Sequence, residues 1–303
     1  MHFQRIIRLI STSSIAKQSS NKSPLASLRK KTGYTFSNCK KALELNENDL
    51  EKAESWLKIQ AQELGWSKAA QVQNRVTSQG LVSLIIDKSY GAIVEINCET
   101  DFVSRNKQFQ ELSQTVVSAV LQHSKTIINE TSFNKIILDS DKLKALSGPD
   151  GISIADHTAL MIGQIRENIN IKRALAISVP SDILLIGSTH PFSSNNNVLY
   201  GKYGVLLAFK SKALEMQQEI GENLCQHIIG MNPLKIGEPE IDQANPNPED
   251  ETTLIHQEYL LDHSLTVREY LEDTGTHILD FIRFEMGEIA EGQQNLDAVE
   301  TGG

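Results

Sequence analysis

From Pro24 to Leu64 the apolar residues recur at helical spacing. Leu25 and Leu28 lead to Gly33, then Phe36, Cys39 and Leu43 follow at i, i+3, i+7, and Leu50, Ala53, Leu57, Ala61 and Leu64 form a third stripe. Pro24 suits a first helical turn, Gly33 and Gly65 suit positions just past a helix end, and Asn48 with Glu51 three residues on reads as a capping pair. The pattern predicts three short helices over residues 23–65, a bundle with a core of marginal size that serves either as a plain stability module or as a surface for a partner.

The period then shortens. After a polar connector over 66–79, Leu81–Ile86 reads as a strand; Ala92, Val94, Ile96 and Cys98 alternate with Ile93, Glu95 and Asn97 in a second one, with Tyr90 and Gly91 closing the turn between them. Phe109, Leu112, Val116 and Val120 return to helical spacing. A second Tyr-Gly pair, Tyr203 and Gly204, opens the strand Val205–Phe209, and a helix through Met216, Ile220, Leu224 and Ile228 follows. Between the two units, Ile152–Arg166 reads as a helix and Ile169–Ser178 as a strand; near the end, Thr266–Leu271 reads as a short helix and Ile278–Phe284 as a returning strand. The expected architecture is α+β: a three-helix bundle, then a duplicated α+β core with antiparallel sheets, core subdomain 1 over 80–180 and core subdomain 2 over 181–286, the latter with a proline-rich loop at 237–250.

Composition narrows the classes. Of 303 residues, 40% are hydrophobic and 22% charged, enough for about two packed domains and incompatible with a wholly disordered chain. The net charge of -9 disfavours general nucleic-acid binding, although Arg29, Lys30, Lys31, Lys40 and Lys41 make a local basic cluster. Cys39, Cys98 and Cys225 are odd in number and widely spaced, which fits a reducing compartment. No apolar stretch approaches the roughly 20 residues of a membrane helix, so no membrane partner is expected. No acidic residue precedes Glu44, whereas Arg5, Arg8, Lys17, Lys22 and five serines crowd residues 1–22, and Phe3, Ile6, Ile7 and Ile10 share one helical face. Acid-poor, Arg-bearing and Ser-rich is the composition of an organelle-targeting presequence. Residues 287–303 read as an acidic disordered tail.

Motifs for enzyme chemistry are missing from the chain. It has no GxxxxGK[ST] or GxGxxG loop to cradle a nucleotide, no HExxH, no GxSxG, and no Cys or His pairs at metal spacing. The expectation is a non-enzyme without cofactor, metal or direct nucleotide binding. Asn129-Glu130-Thr131 forms a glycosylation triplet, which a presequence and free thiols argue against using. The informative peptide is Thr100-Asp101-Phe102-Val103, at the junction between the strand ending at Cys98 and the helix carrying Phe109. An aromatic preceded by a carboxylate at such a tip suits recognition. Alternatively Phe102, seven residues before Phe109, staples the helix start to the core with Asp101 as its cap.

These residues carry a resemblance. Glu95-Ile96-Asn97-Cys98-Glu99-Thr100-Asp101-Phe102-Val103 is similar to the signature of the elongation factor Ts family; Leu28–Gly33 with Cys39–Leu43 resembles that family's ubiquitin-associated-like three-helix domain. Glu167-Asn168-Ile169-Asn170-Ile171-Lys172-Arg173 and Phe281-Ile282-Arg283-Phe284-Glu285 are further matches in family order. With the presequence, the resemblance is to the mitochondrial type. It implies a guanine-nucleotide exchange factor for the translational GTPase EF-Tu, acting in the mitochondrial matrix, in which Asp101 and Phe102 disturb the partner's magnesium site and Thr100 and Val103 bind the partner beside them. Further contacts would fall on Arg29, Phe36 and Lys40 in the bundle and on Ile165 and His190 in the core. The family's Met-Met reads Phe36-Ser37 here, its usual Gly before Glu-Asn-Ile is Arg166, and the bacterial helical hairpin has no counterpart pattern between Gly230 and Asp262. Two other readings remain: an adaptor for ubiquitin or nascent chains, and a ribosome-associated RNA binder using the basic cluster.

Overall fold

The computed structural model describes residues 23–128 and 132–288. The expected presequence over 1–22, the Asn129 triplet and the tail beyond Glu288 lie outside the described residues. Contacts divide the chain into two compact units between Ala61 and Gln62.

The first unit holds α1 (Pro24–Thr32), α2 (Phe36–Leu45) and the first half of α3 (Leu50–Val72). Each start is capped by a side chain. Ser23 accepts the Ala26 amide, Thr35 accepts the Asn38 amide, and Asp49 Oδ1 accepts the amides of Glu51 and Lys52, both at 3.0 Å. Asp49 therefore caps α3 in place of the expected Asn48, which instead turns the chain at φ 62°. Gly33 ends α1 in the left-handed region at φ 73°, its amide bonded to Arg29 O. Leu28, Cys39, Ala42, Leu43, Ala53 and Leu57 make the small core.

Gly65 does not end the third helix, and the expected connector is helical as far as Val72. The reason is a close helix crossing within the second unit. A Cβ on Gly65 would meet Ala159 O at 2.5 Å on α7 (Ile154–Ile165), and one on Gly163 would meet Gly65 Cα at 3.0 Å. Two glycines let the backbones touch, and Asp156 Oδ1 accepts hydrogen bonds from Gln62 Nε2 at 2.6 Å and Trp66 Nε1 at 2.9 Å alongside.

The rest of the second unit is layered. β1 (Gln79–Asp87), β2 (Tyr90–Cys98), β3 (Asn134–Asp139), β4 (Ile169–Ser178), β6 (Ser193–Asn195) and β7 (Val198–Gly201) form one sheet in the order β3-β4-β2-β1-β7-β6. β5 (Leu184–His190), β8 (Tyr203–Ser211) and β9 (Thr276–Glu285) form a second in the order β5-β8-β9. Every ladder is antiparallel, as the α+β reading requires. α4 (Asp101–Ser104), α5 (Lys107–Ile127), α6 (Ser140–Ala145) and α7 lie with one face of the six-stranded sheet, and α8 (Gln217–Met231) and α9 (Val267–Asp273) with the outer face of the three-stranded one. The two sheets share an apolar layer of Val82, Leu84, Ile93, Leu206, Ala208 and Ile282.

That layering explains both Tyr-Gly pairs. The first hairpin turns at Lys88-Ser89, and Tyr90 and Gly91 belong to β2 rather than to the turn. A Cβ on Gly91 would press on Leu185 Cδ2 at 3.0 Å, and one on Gly204 would meet Val82 Cγ1 at 2.7 Å. The glycines make room for the opposing sheet. β2 is consequently buried on both faces: Ala92, Val94, Ile96 and Cys98 enter the helix-side core, and Ile93 the sheet-to-sheet layer.

Candidate partner-binding site

The site is built where β2 runs out. Cys98 pairs with Ile169 of β4 in the last rung of the ladder, and past it the chain turns at Thr100 into the single turn of α4. Thr100, not Asp101, is the cap: its Oγ1 accepts the Val103 amide. Val103, expected to bind the partner, is instead buried in the helix-side core, and the buried Ser104 donates its Oγ to Asp101 O at 2.8 Å. The Cys98 thiol, pushed up to about 12 by burial and then by the nearby Glu167 carboxylate, donates to Thr100 O at 3.2 Å. With the turn anchored from inside, the outer residues have nowhere to go but outward. Phe102 is 82% exposed, and the Asp101 carboxylate pairs with Arg105 at 3.1 Å across the surface.

The helix breaks between Ser104 and Lys107, where Asn106 caps α5 by accepting the Gln108 amide at 2.8 Å. Phe102 is therefore not on the stripe of Phe109, which is wholly buried, and the core-staple alternative is excluded.

Beyond the last backbone rung, two carboxylates continue the pairing. Glu167 Oε2 accepts the Thr100 amide at 3.0 Å and Oε1 accepts the Thr100 hydroxyl at 2.7 Å; Glu99 Oε1 accepts the Asn168 amide at 2.6 Å. The buried Asn168 side chain then donates to Gln73 O and Arg75 O, tying in the segment that leaves α3. Deeper in the same strands lies the fully buried Glu95, held by Arg173 Nε at 2.8 Å, Lys172 Nζ at 3.3 Å and the Gly287 amide at 2.8 Å. A carboxylate removed from water requires such partners. Arg173 also stacks on Phe284 at 4.2 Å and donates to Glu285 O. The stretches 95–103, 167–173 and 281–285, far apart in the chain, thus meet in one frame beneath the tip.

The other expected residues fall in two places. Ile165, half-buried on the helix-side core, ends α7 two residues before Glu167. His190 is exposed at the end of β5, and its carbonyl accepts the Lys202 amide at 2.8 Å. Lys202, whose pKa burial lowers, donates to Gly80 O at 2.9 Å and lies within electrostatic reach of Asp101 and Arg105. Arg29, Phe36 and Lys40 belong to the first unit. Arg29 is exposed in the last turn of α1, and Phe36, 55% exposed, stands one turn before Lys40 on α2, where Lys40 approaches Glu44 at 3.7 Å. Sequence reading gave Glu167, Glu99 and Lys202 no role. The signal for the glutamates is their position flanking the ends of two strands that prove to be neighbours. Among the described residues no group of three or more His, Cys, Asp or Glu comes together to hold a metal ion.

Comparison with known proteins gives the kinship. Residues 7–67 match the family model for the N-terminal region of mitochondrial elongation factor Ts, and 99–250 with 246–288 match the elongation factor Ts model. The mitochondrial elongation factor Ts of Aedes aegypti is 45% identical over 294 residues, 95% of this chain and 96% of its own. That of Drosophila melanogaster is 45% identical over 92% of this chain and 88% of its own, and that of Homo sapiens 40% over 92% and 87%. With both family models matched in order and relatives 40–45% identical over most of their length, the chain belongs to the elongation factor Ts family of translation elongation factors.

Proposed function

We propose that the chain is the guanine-nucleotide exchange factor of the mitochondrial matrix EF-Tu, and that Asp101 and Phe102 are the residues that open its nucleotide site. The observation that carries the reading is an 82% exposed phenylalanine on a turn whose Thr100 and Ser104 hydroxyls are both hydrogen-bonded inside it. An aromatic left in water at a rigid tip gains most by entering a partner's apolar pocket, and the anchoring means that little conformational freedom is lost on entry. GDP is held on such a GTPase largely through its phosphates and a bridging magnesium ion. A wedge driven beside that site, carrying the Asp101 carboxylate with it, weakens a major electrostatic attachment. Coupling is reciprocal, so GDP and the exchange factor lower each other's affinity and the exchange equilibrium itself is unchanged. Arg29, Phe36 and Lys40 on the bundle, and Ile165 and His190 on the core, supply the remaining contacts, while Thr100 and Val103 serve the tip from within.

The test is release of a fluorescent GDP analogue from mitochondrial EF-Tu with the chain starting near Ser23. Wild type accelerates release; Phe102→Ala and Asp101→Ala lose most of the acceleration while their melting temperatures stay within a few degrees of wild type, because neither side chain is packed. No acceleration by the folded wild-type chain overturns the assignment.

A further inference from the structure

We propose that Glu167 is a positioning residue: its carboxylate, gripping Thr100 from the link between α7 and β4, holds the Asp101-Phe102 tip at the angle from which it enters the GTPase. The inference rests on the exchange-factor reading and extends it to a residue that never meets the partner's nucleotide site.

The geometry behind it is reciprocal. Past the Cys98–Ile169 pair the backbone ladder of β2 and β4 ends, and the two residues beyond each strand end are joined by side chains. Glu167 takes the Thr100 amide and Glu99 takes the Asn168 amide, so the segment beyond each strand end lends a carboxylate to an amide of the other. Hydrogen bonds to a charged acceptor are the stronger kind, and two on one residue fix its orientation as well as its place. Thr100 is the pivot. Its hydroxyl accepts the Val103 amide that starts α4 and donates to Glu167 Oε1 at 2.7 Å, so the cap and the clamp share one oxygen. α4 is a single turn of four residues, with too few internal bonds to hold its own direction. The direction of Phe102 is therefore delegated to Thr100 and, through it, to Glu167. The glutamate is itself steadied: Arg166 before it ends α7 with its amide on Ile162 O, and Asn168 after it is buried and bonded to Gln73 O and Arg75 O.

Glu167→Ala removes the clamp and leaves the exposed tip chemically intact, and Thr100→Val removes the shared oxygen. Thr100→Ser keeps it. Two readouts separate the possibilities. Hydrogen exchange of the amides from Thr100 to Arg105 rises in Glu167→Ala and Thr100→Val but not in Thr100→Ser, while protection of α5 and β4 is unchanged. In GDP release, the maximal rate at saturating factor falls on the order of tenfold in the first two variants, the size expected when a catalytic group is displaced by less than an ångström or so, and is retained by Thr100→Ser. The concentration for half-maximal effect changes little, because the wider contact surface is untouched.

Unchanged tip protection in Glu167→Ala overturns the clamp, and a loosened tip with full maximal rate overturns its role in exchange. Acceleration by wild type that survives both clamp variants leaves the exchange reading standing and removes this one. A wild-type chain that does not accelerate release at all overturns both.

Discussion

Phe102 and Phe109 are seven residues apart and have opposite surroundings, one in solvent and one at the centre of the helix-side core. The interval suggested a shared stripe, and it fails because Asn106 restarts the helix between them. Residue type and spacing marked the tip, but which way each ring points was decided by a cap. Arg166 is a comparable case. The related family's usual glycine there reads naturally as room for a partner's approach, yet the residue sits at φ 67°, closing α7 with a left-handed turn. Backbone conformation alone explains a preference for glycine. Arg166→Gly is therefore expected to raise unfolding free energy by about 1 kcal/mol in urea titrations, since a side chain in that region is sterically disfavoured. An unchanged or lowered value would mean that the arginine side chain makes up the difference.

At the scale of elements, the strands and helices from Leu81 onward follow the hydrophobic period closely: the predicted β4, Ile169–Ser178, is the observed one, and Thr266 with Glu269 forms a full capping box for α9. The third helix departs because its glycine answers to a neighbour rather than to its own chain. Gly65 faces the backbone of Ala159, so the usual reading of glycine as a helix stop is reversed by a tertiary contact. Two effects then oppose each other in Gly65→Ala. Helix propensity favours alanine by up to about 1 kcal/mol, whereas a Cβ 2.5 Å from a carbonyl oxygen forces the helices apart at a cost of about 1–3 kcal/mol. The clash involves backbone that cannot swing away, so the variant is expected to be less stable. Urea denaturation with a raised midpoint would contradict the close crossing.

On the scale of the whole molecule, the long segment after α8 is locked by a buried histidine. His227 Nδ1 accepts the Leu260 amide at 3.2 Å and Nε2 faces Gln257 Oε1 at 3.0 Å, while Gln257 Nε2 donates to Met231 O and Glu251 O. Burial lowers the pKa of His227, outweighing the Gln257 hydrogen bond, and only the neutral ring can accept from Leu260. The unfolded chain takes up a proton near pH 6.5 and the folded chain only below that, so this contribution to stability is complete above about pH 6.5 and is lost as pH falls through the interval. The urea midpoint should drop between pH 7.5 and 5.5, and His227→Gln should flatten that part of the dependence. Equal slopes in the two proteins would remove His227 as the cause.

What the sequence determined by itself is whatever depends on neighbours within one or two turns: the type of the strongly periodic elements, several of their boundaries, and the peptide at 100–103 as an element junction. Periodicity and capping are local physics, and they are written in adjacent residues. The tertiary structure alone decided which glycines bend the chain and which admit another layer, that β6 and β7 from the second half complete the first sheet, and that Glu167 reaches Thr100 across 67 positions. Those outcomes depend on strand neighbours and layer distances. Such neighbours are chosen by the burial of whole faces, which no short window of sequence contains.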